Sequence, residues 1–475
     1  MPDKVWKKEF AGEHQSSGDR KIIRREGLGN NPLFKIIKSK EYLTHMPRSQ
    51  AQRLKQWDKE YIWHPFTQMK DWVKDEPLII DSADGIYLKD IDGNIYMDGV
   101  SSLWVNVHGH RHARIDAALS KQIHKLSHST LLGLSNTPAI ELARRLVKIV
   151  PKGLKKVFYS DNGSTAVEIA IKMAYQYWQN VGENKKTQIV HLNNSYHGDT
   201  LGSVSVGGID LFHKVYHKLI FKTISLKGHG WEALEELEKL LKTKHHSIAA
   251  LVAEPLIQGA AGMLVWPEGS LKKMRDLTKK YNVLFIVDEV ATGFGRTGKM
   301  FACQHEGVSP DFLCLAKGIT GGYLPLAATL TTQKVYKGFL FDHKEQKTFF
   351  HGHTYTGNPL SCAAALANLE VFQKERTLAK LSPKIKFLAK KLKIFYNLPS
   401  VAEVRQKGFM VGIELKGRLE DRAGARVCQQ VRPYGVILRS LGNVIVLMPP
   451  LSISVEELDF LLMATYRAIE RVARD

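Results

Sequence analysis

Through the middle of the chain, short uninterrupted apolar runs alternate with longer stretches in which apolar residues return every three or four positions. The runs KKVFYS, TQIVHL, IAALVAEP, VLFIVDEV, FLCLAKG and PLAATL have the length of strands, and their want of polar alternation marks strands covered on both faces. Between them, STAVEIAIKMAYQYW and SLKKMRDLTKKY carry the helical period. That rhythm predicts an α/β domain built on a mainly parallel sheet. Upstream, PLIIDSADGIYLKD and DGNIYMD alternate around Asp-Gly turns, which predicts a small meander or hairpin between Leu78 and Asp98. From about Phe372 a helical pattern, LSPKIKFLAKKLKIFYN, gives way to VRQKGFMVGIEL and VILRSLGNVIVLMPP and then to a final helix, which predicts a second, smaller α+β domain. The boundaries expected are a basic, mobile extension over residues 1–45, a segment over 46–100 joining the small domain, a large domain over 101–371 and the small domain over 372–475.

Composition narrows the class. The chain has 475 residues, 44% hydrophobic and 24% charged, the profile of an ordinary globular protein large enough for two or three domains. No apolar run approaches the roughly 20 residues that cross a bilayer, and the first residues lack a secretory apolar core, so a cytoplasmic protein without a membrane partner is expected. Cys303, Cys314, Cys362 and Cys428 form no CxxC pair and read as reduced and structural. The net charge of +21 raises nucleic acid as a partner. The first 60 residues hold fourteen Lys/Arg against eight Asp/Glu, and the remaining excess is spread over the rest of the chain. With no basic stripe interleaved with aromatics, nucleic-acid binding is set aside in favour of a basic surface that attracts anionic small molecules.

Two apolar runs end in charge. Asp288 closes VLFIVD and Lys317 follows FLCLA, so both should emerge at the carboxyl edge of the sheet, where open α/β proteins bind ligands. Pyridoxal phosphate gives an acid and an amine held together there a purpose: the lysine bonds to its aldehyde while the aspartate keeps its ring nitrogen protonated. Gly163 and Ser164 open the helix after KKVFYS, where free N–H groups and the helix dipole suit a phosphate, although ordinary capping also uses such residues. Tyr196 and Asp199 in SYHGDT offer an aromatic and an acid beyond the strand TQIVHL. The ring is either a stacking partner for a cofactor or a packed loop tyrosine. Gly352, His353 and Thr354 lie in a polar loop that supplies phosphate donors or merely a turn.

Other patterns mislead. GFGRTG, spanning Gly293, Gly295 and Gly298, is a literal GxGxxG, yet no helical period follows it, so it reads as a loop near the site with Arg296 as a substrate or structural contact. His108, His110 and His112 alternate, as do His351 and His353, but neither set has a diagnostic fourth ligand, and no metal site is expected. No GxSxG elbow suggests a serine hydrolase.

The runs IVDEVATGFGRTGKMFACQHE, CLAKGITGGYLPLAATL and HGHTYTGNPLSCAAALANL together resemble the class III aminotransferases of pyridoxal-phosphate fold type I. Within that family, WHPFTQM, DGVSSLWVNVHGH, YHGDTLGSVSVG, EPLIQGAAGM and VIVLMPP are similar to the branch that aminates 8-amino-7-oxononanoate in biotin synthesis, with coverage from about Tyr61 to the C-terminus. The resemblance implies a large domain on a mainly parallel seven-stranded sheet, a smaller α+β domain, and a homodimer with shared sites. It implies that Lys317 joins the cofactor and moves the substrate proton, and that Asp288 pairs with the ring nitrogen. Gly163 and Ser164 would hold the phosphate, Tyr196 would stack on the ring, and Asp199 and Glu254 would be supporting acids. His353 and Thr354 would reach the phosphate of the other subunit. Phe66, Leu103, Tyr196 and Gly352 would line the substrate side, and Arg439 would receive the oxononanoate carboxylate. Phe66, Leu103 and Val446 stand where the branch using S-adenosylmethionine as amino donor has Tyr, Trp and Tyr, and they resemble the branch using lysine. S-Adenosylmethionine, the donor across most of the family, stays the first expectation and lysine the second. An ω-amine, ornithine or 4-aminobutyrate transaminase is the alternative within the family, and a cofactor-binding regulator without catalysis the alternative outside it.

Overall fold

The computed structural model describes residues 46–474, so the extension expected over residues 1–45 lies outside the described residues. The described residues form two compact units, one comprising residues 46–81 together with Lys89–Asn94, the other Ser82–Leu88 with residues 95–474. In the first unit the helix Arg48–Tyr61 is organised by its polar face. Asp58 accepts from Trp72 Nε1 at 2.8 Å and lies 3.1 Å from His64 Nε2, while Lys55 bridges Glu76 and Asp92 at 2.9 and 2.8 Å. Phe66 sits in a turn at φ 51° and is exposed.

The second unit is built on a seven-stranded sheet in the order Leu154–Ser160, Ala327–Thr332, Phe312–Leu315, Leu284–Asp288, Ile248–Ala253, Gln188–Leu192, Ile224–Leu226. Neighbours are parallel except Ala327–Thr332, which runs antiparallel to both strands beside it. All six apolar runs are therefore strands, and the sheet is mainly parallel as expected. The seventh strand, Ile224–Leu226, has three residues and no run long enough to announce it. Ile248–Ala253 and Leu284–Asp288 are buried along their whole length, which explains why they carry no polar alternation. The helix Gly163–Asn180 packs over this sheet through Val167, Ala170, Ala174 and Trp178, against Ile286, Phe312 and Ala327.

Beyond residue 372 the helix Thr377–Lys391 leads into an antiparallel sheet ordered Val401–Lys407, Met410–Leu415, Val444–Leu447, Arg439–Leu441, and the helix Val455–Val472 ends the chain. Its start is fixed by a reciprocal cap between Ser454 and Glu457. Short strands also occupy Ile80–Asp84, Tyr87–Asp90 and Ile95–Asp98, where the alternation predicts them, and the last pairs in parallel with Val436–Ile437. Among the described residues no helix is long and apolar enough to cross a membrane.

Candidate active site

Register brings the two charged strand ends together. Asp288 pairs with Cys314 across the parallel ladder, and the chain leaves the sheet just beyond, so Lys317 emerges at the same edge. Lys317 opens a short turn, Lys317–Thr320, with φ 46°, a left-handed conformation unusual for a side chain of this size. Its Nζ lies 4.7 Å from the centre of the Trp104 ring. Burial lowers the pKa of this amine, Asp288 and Glu254 oppose that, and the charge of Arg296 adds to it. The net lowering shifts the amine toward its uncharged form, the nucleophile that condenses with an aldehyde.

Asp288 is 5% exposed and is held at both oxygens. Val290 N donates to Oδ1 at 2.9 Å, and His197 Nδ1 lies 2.7 Å from Oδ2. Burial alone would discharge the wholly buried His197, but its hydrogen bond to Asp288, and the charges of Asp288 and Glu254, outweigh burial and raise its pKa. Glu254 sits nearby, accepting from Tyr196 N at 3.2 Å and Gly259 N at 2.9 Å, and burial pushes its carboxyl up to about 7. A carboxylate fixed in this way, with lone pairs left on both oxygens, suits a protonated ring nitrogen.

The helix Gly163–Asn180 starts beside this edge. Asn162 caps it by accepting from Thr165 N at 3.0 Å, which leaves the N–H groups of Gly163 and Ser164 for a ligand. Glycine is required at 163, because a Cβ would stand 2.5 Å from Val290 Cγ1. The Ser164 hydroxyl is engaged by Thr200, 2.7 Å from its Oγ1 and accepting from its N–H at 3.0 Å. These donors and the dipole fit a phosphate, so an amine, a fixed carboxylate and an anion cradle meet the demands of the expected cofactor.

Tyr196 donates its hydroxyl to Asp199 at 2.8 Å. Burial raises the tyrosine pKa, Asp199 and Asp288 raise it further, and the charge of Arg439 lowers it, so Tyr196 feels both ends of the site. Asp199 itself is exposed, and its described contact is with Tyr196. Arg439 is exposed on the edge strand Arg439–Leu441, paired with Val446. Arg296 resolves as structural: buried, it donates to Pro449 O and Asn106 O at 2.7 Å each. The GxGxxG segment opens no helix and turns at Phe294, Gly295 and Gly298 with positive φ.

Some expected residues are not gathered here. His353 closes a turn with Thr356, and Gly352 lines a separate hollow of about 270 Å³ with Leu131, Ile140 and Phe158. Among the described contacts of this chain, none joins Gly352, His353 or Thr354 to Lys317 or Asp288. Val446 is 1% exposed, packed with Trp104, Met263 and Met448, so it lines no open surface. The apolar strand Val444–Leu447 turns it into the core.

Three participants were not singled out from sequence: His197, Trp104 and Asp98. His197 was beside Tyr196 in SYHGDT, the one available signal. Trp104 closes a turn, Ser101–Trp104, in which all four residues have φ between 48° and 72°, and Leu103 projects from it 48% exposed. Left-handed helical conformation costs roughly 1–2 kcal/mol per residue, so such a turn stores about 4–8 kcal/mol. Nothing in SSLW foretells that backbone.

The description "Aminotransferase class-III" fits a family model across residues 69–469 of this chain. An adenosylmethionine-8-amino-7-oxononanoate aminotransferase of Aquifex aeolicus is 54% identical over 445 residues, covering 89% of this chain and 98% of that protein. The crystal structure of the enzyme of that name from Methanocaldococcus jannaschii superimposes with a TM-score of 0.87 at 48% identity, covering 88% of this chain and 99% of the other. An amine transaminase from an uncultivated Pseudomonas species, in its pyridoxal-phosphate-bound form, gives a TM-score of 0.83 at 34% identity over 86% and 98% of the two chains. With this fold, an amine and a fixed carboxylate at one sheet edge, and a match across most of its length, the chain belongs to the class III aminotransferases and takes pyridoxal phosphate as its cofactor.

Proposed function

We propose that this protein transfers an amino group to 8-amino-7-oxononanoate, giving 7,8-diaminononanoate for biotin synthesis, with S-adenosylmethionine, or alternatively lysine, as the amino donor. The observation that carries this reading is the Lys317–Asp288 pair, in a chain about half identical, from end to end of the relatives, to enzymes bearing that name. The amine transaminase match at 34% identity is weaker support for an ω-amine substrate. When bound, pyridoxal phosphate supplies an aldehyde that carries the nitrogen and a ring that accepts electron density. Lys317 is the group for taking and returning the substrate proton, because burial lowers the pKa of its amine and the turn places it at the sheet edge beside Asp288. Asp288, supported by His197, would pair with the ring nitrogen and favour its protonated form. Gly163 and Ser164 would hold the phosphate and Tyr196 would stack on the ring, with Asp199 fixing its hydroxyl, while Glu254 fixes the backbone of Tyr196 and Gly259. Arg439 pairs with the acceptor's carboxylate, a match for a planar fork of donors, while Leu103 borders the donor. The protein works in the cytoplasm as a homodimer, in which Gly352, His353 and Thr354 serve the site of the partner subunit.

The test is direct. Cofactor-loaded protein is given 8-amino-7-oxononanoate with S-adenosylmethionine or with lysine, and diaminononanoate is measured by chromatography. Product is expected with at least one donor and none from Lys317→Ala, which should also lose the visible band of bound cofactor. No product from either donor, with turnover of an ω-amine instead, would overturn the reading.

A further inference from the structure

The turn Ser101–Trp104 is the most strained stretch of described backbone, with φ of 53°, 48°, 72° and 70° at four successive residues that are not glycine. It is closed by Trp104 N to Val100 O at 2.8 Å and Val105 N to Ser101 O at 3.0 Å. Such a turn persists only when its surroundings hold it. The holder is Asp98, at the end of the strand Ile95–Asp98 and fully buried. Its Oδ1 accepts from Ser102 N at 2.9 Å and from Val100 N at 3.4 Å, and its Oδ2 accepts from Ser102 Oγ at 2.7 Å. His110 Nε2 lies 3.5 Å from Oδ2. A second tie, Ser101 Oγ to Met448 O at 2.6 Å, pins the start of the turn to the core.

The turn sets where one side chain lies. Trp104 is 7% exposed, its ring faces the Lys317 amine at 4.7 Å, and its edge packs so closely on Gly259 that a Cβ there would come within 3.2 Å of Cζ3. Gly259 is the residue whose N–H fixes Glu254. The indole Nε1 is buried with no hydrogen-bond partner among the described residues, so the ring is held here by backbone and packing. In an ordinary right-handed or extended segment the same side chain would leave from a different face of the chain.

We propose that Asp98 is a positioning residue for amino transfer: its carboxylate holds the left-handed turn Ser101–Trp104, and the turn sets the Trp104 ring against Lys317. The proposal rests on Lys317 being the cofactor lysine. A charged acceptor is needed because it receives both the N–H and the hydroxyl of Ser102 and so compensates a backbone that an L-residue avoids. Asp98 is fully buried and acts wholly through Trp104.

The experiment uses cofactor-loaded protein labelled with 5-fluorotryptophan, the Trp104 resonance being identified by its loss in Trp104→Phe. Asp98→Asn should shift that resonance and lower kcat at least tenfold, with KM for the acceptor within threefold and the visible band of bound cofactor retained. Adding Ser102→Gly, which frees the backbone at φ 48°, should return the resonance and recover at least half of the lost rate. Ser102 is exposed, so Ser102→Ala is the milder variant; it removes only the hydroxyl bond to Asp98 and should shift the resonance in the same direction with a smaller loss of kcat. An unmoved Trp104 resonance in Ser102→Ala, or loss of activity that glycine does not restore, overturns the proposal. Absence of a Lys317-dependent visible band in the unmodified protein would instead overturn the assignment of Lys317, whatever the Trp104 resonance does.

Discussion

Glu289 follows Asp288 directly, and its carboxylate is fully buried. It ties the loop beyond the strand back to the sheet edge, with Oε2 accepting from Ala302 N at 2.6 Å and Oε1 from Cys303 N at 2.8 Å. Burial pushes the carboxyl up to about 7, and the hydrogen bonds from Cys303, Ala302 and Thr292 pull the other way without prevailing. In the unfolded chain the same group titrates near 4.5. Between those values the folded protein binds a proton that the unfolded chain does not, so this stability is fully present below the unfolded pKa and is lost as pH rises through about 7. At 1.36 kcal/mol per pH unit the whole rise is worth about 3 kcal/mol, of which about 2.5 kcal/mol falls between roughly pH 5 and pH 8.5. Glu289→Gln keeps the volume but cannot titrate. It turns an N–H toward one of the two backbone donors, a loss of about 1–3 kcal/mol that does not depend on pH. Urea unfolding of both proteins across that range gives the difference in stability, in which the groups they share cancel. The advantage of the unmodified protein should shrink by about 2.5 kcal/mol from acid to alkaline pH. A difference that stays flat, or that grows with pH, would refute the reasoning.

Arg439→Leu should raise KM for the oxononanoate at least tenfold with kcat within threefold, and Arg439→Lys should fall between, since an ammonium lacks the two-pronged fork; steady-state kinetics decides. Tyr196→Phe loses the bond to Asp199 but keeps the ring, so titration with pyridoxal phosphate should find affinity within threefold, against a tenfold or greater loss in Tyr196→Ala. Gly163→Ala places a Cβ 2.5 Å from Val290 Cγ1 and should cost about 1–3 kcal/mol, recovered in part by adding Val290→Ala, as read from thermal unfolding.

What was legible in the sequence followed from the buried sheet. Leu284–Asp288 and Phe312–Leu315 could be read as strands because both faces are covered, and once they were parallel neighbours the charged residues at their ends had to share an edge. Gly163 could be read because a helix start after a strand has few chemical uses. His197 and Asp98 were missed because each matters through one hydrogen-bond geometry formed across long separations in the chain or within a strained turn, which no period records. The strand Ile224–Leu226 escaped because three residues hold no pattern. The loop at Gly352–Thr354 was legible only through resemblance, since its proposed work lies in a second copy of the chain.

Donor choice depends on which positions can change without moving others. Val446 is packed under Trp104, and its strand is paired, residue for residue, with the strand that carries Arg439. A larger side chain at 446 must displace either the ring beside Lys317 or the arginine proposed for the acceptor, so any effect on the donor comes mixed with effects on both. Leu103 differs: it is half exposed in the left-handed turn, and a larger group there meets solvent before it meets the core. Leu103→Trp is therefore expected to change the ratio of kcat/KM for S-adenosylmethionine over lysine at least tenfold with the unfolding temperature nearly unchanged. Val446→Tyr should cost about 1–3 kcal/mol and alter KM for the oxononanoate as well as the donor. A Val446→Tyr protein as stable as its parent and changed only in donor preference would mean that the residue reaches the substrate directly, against its burial.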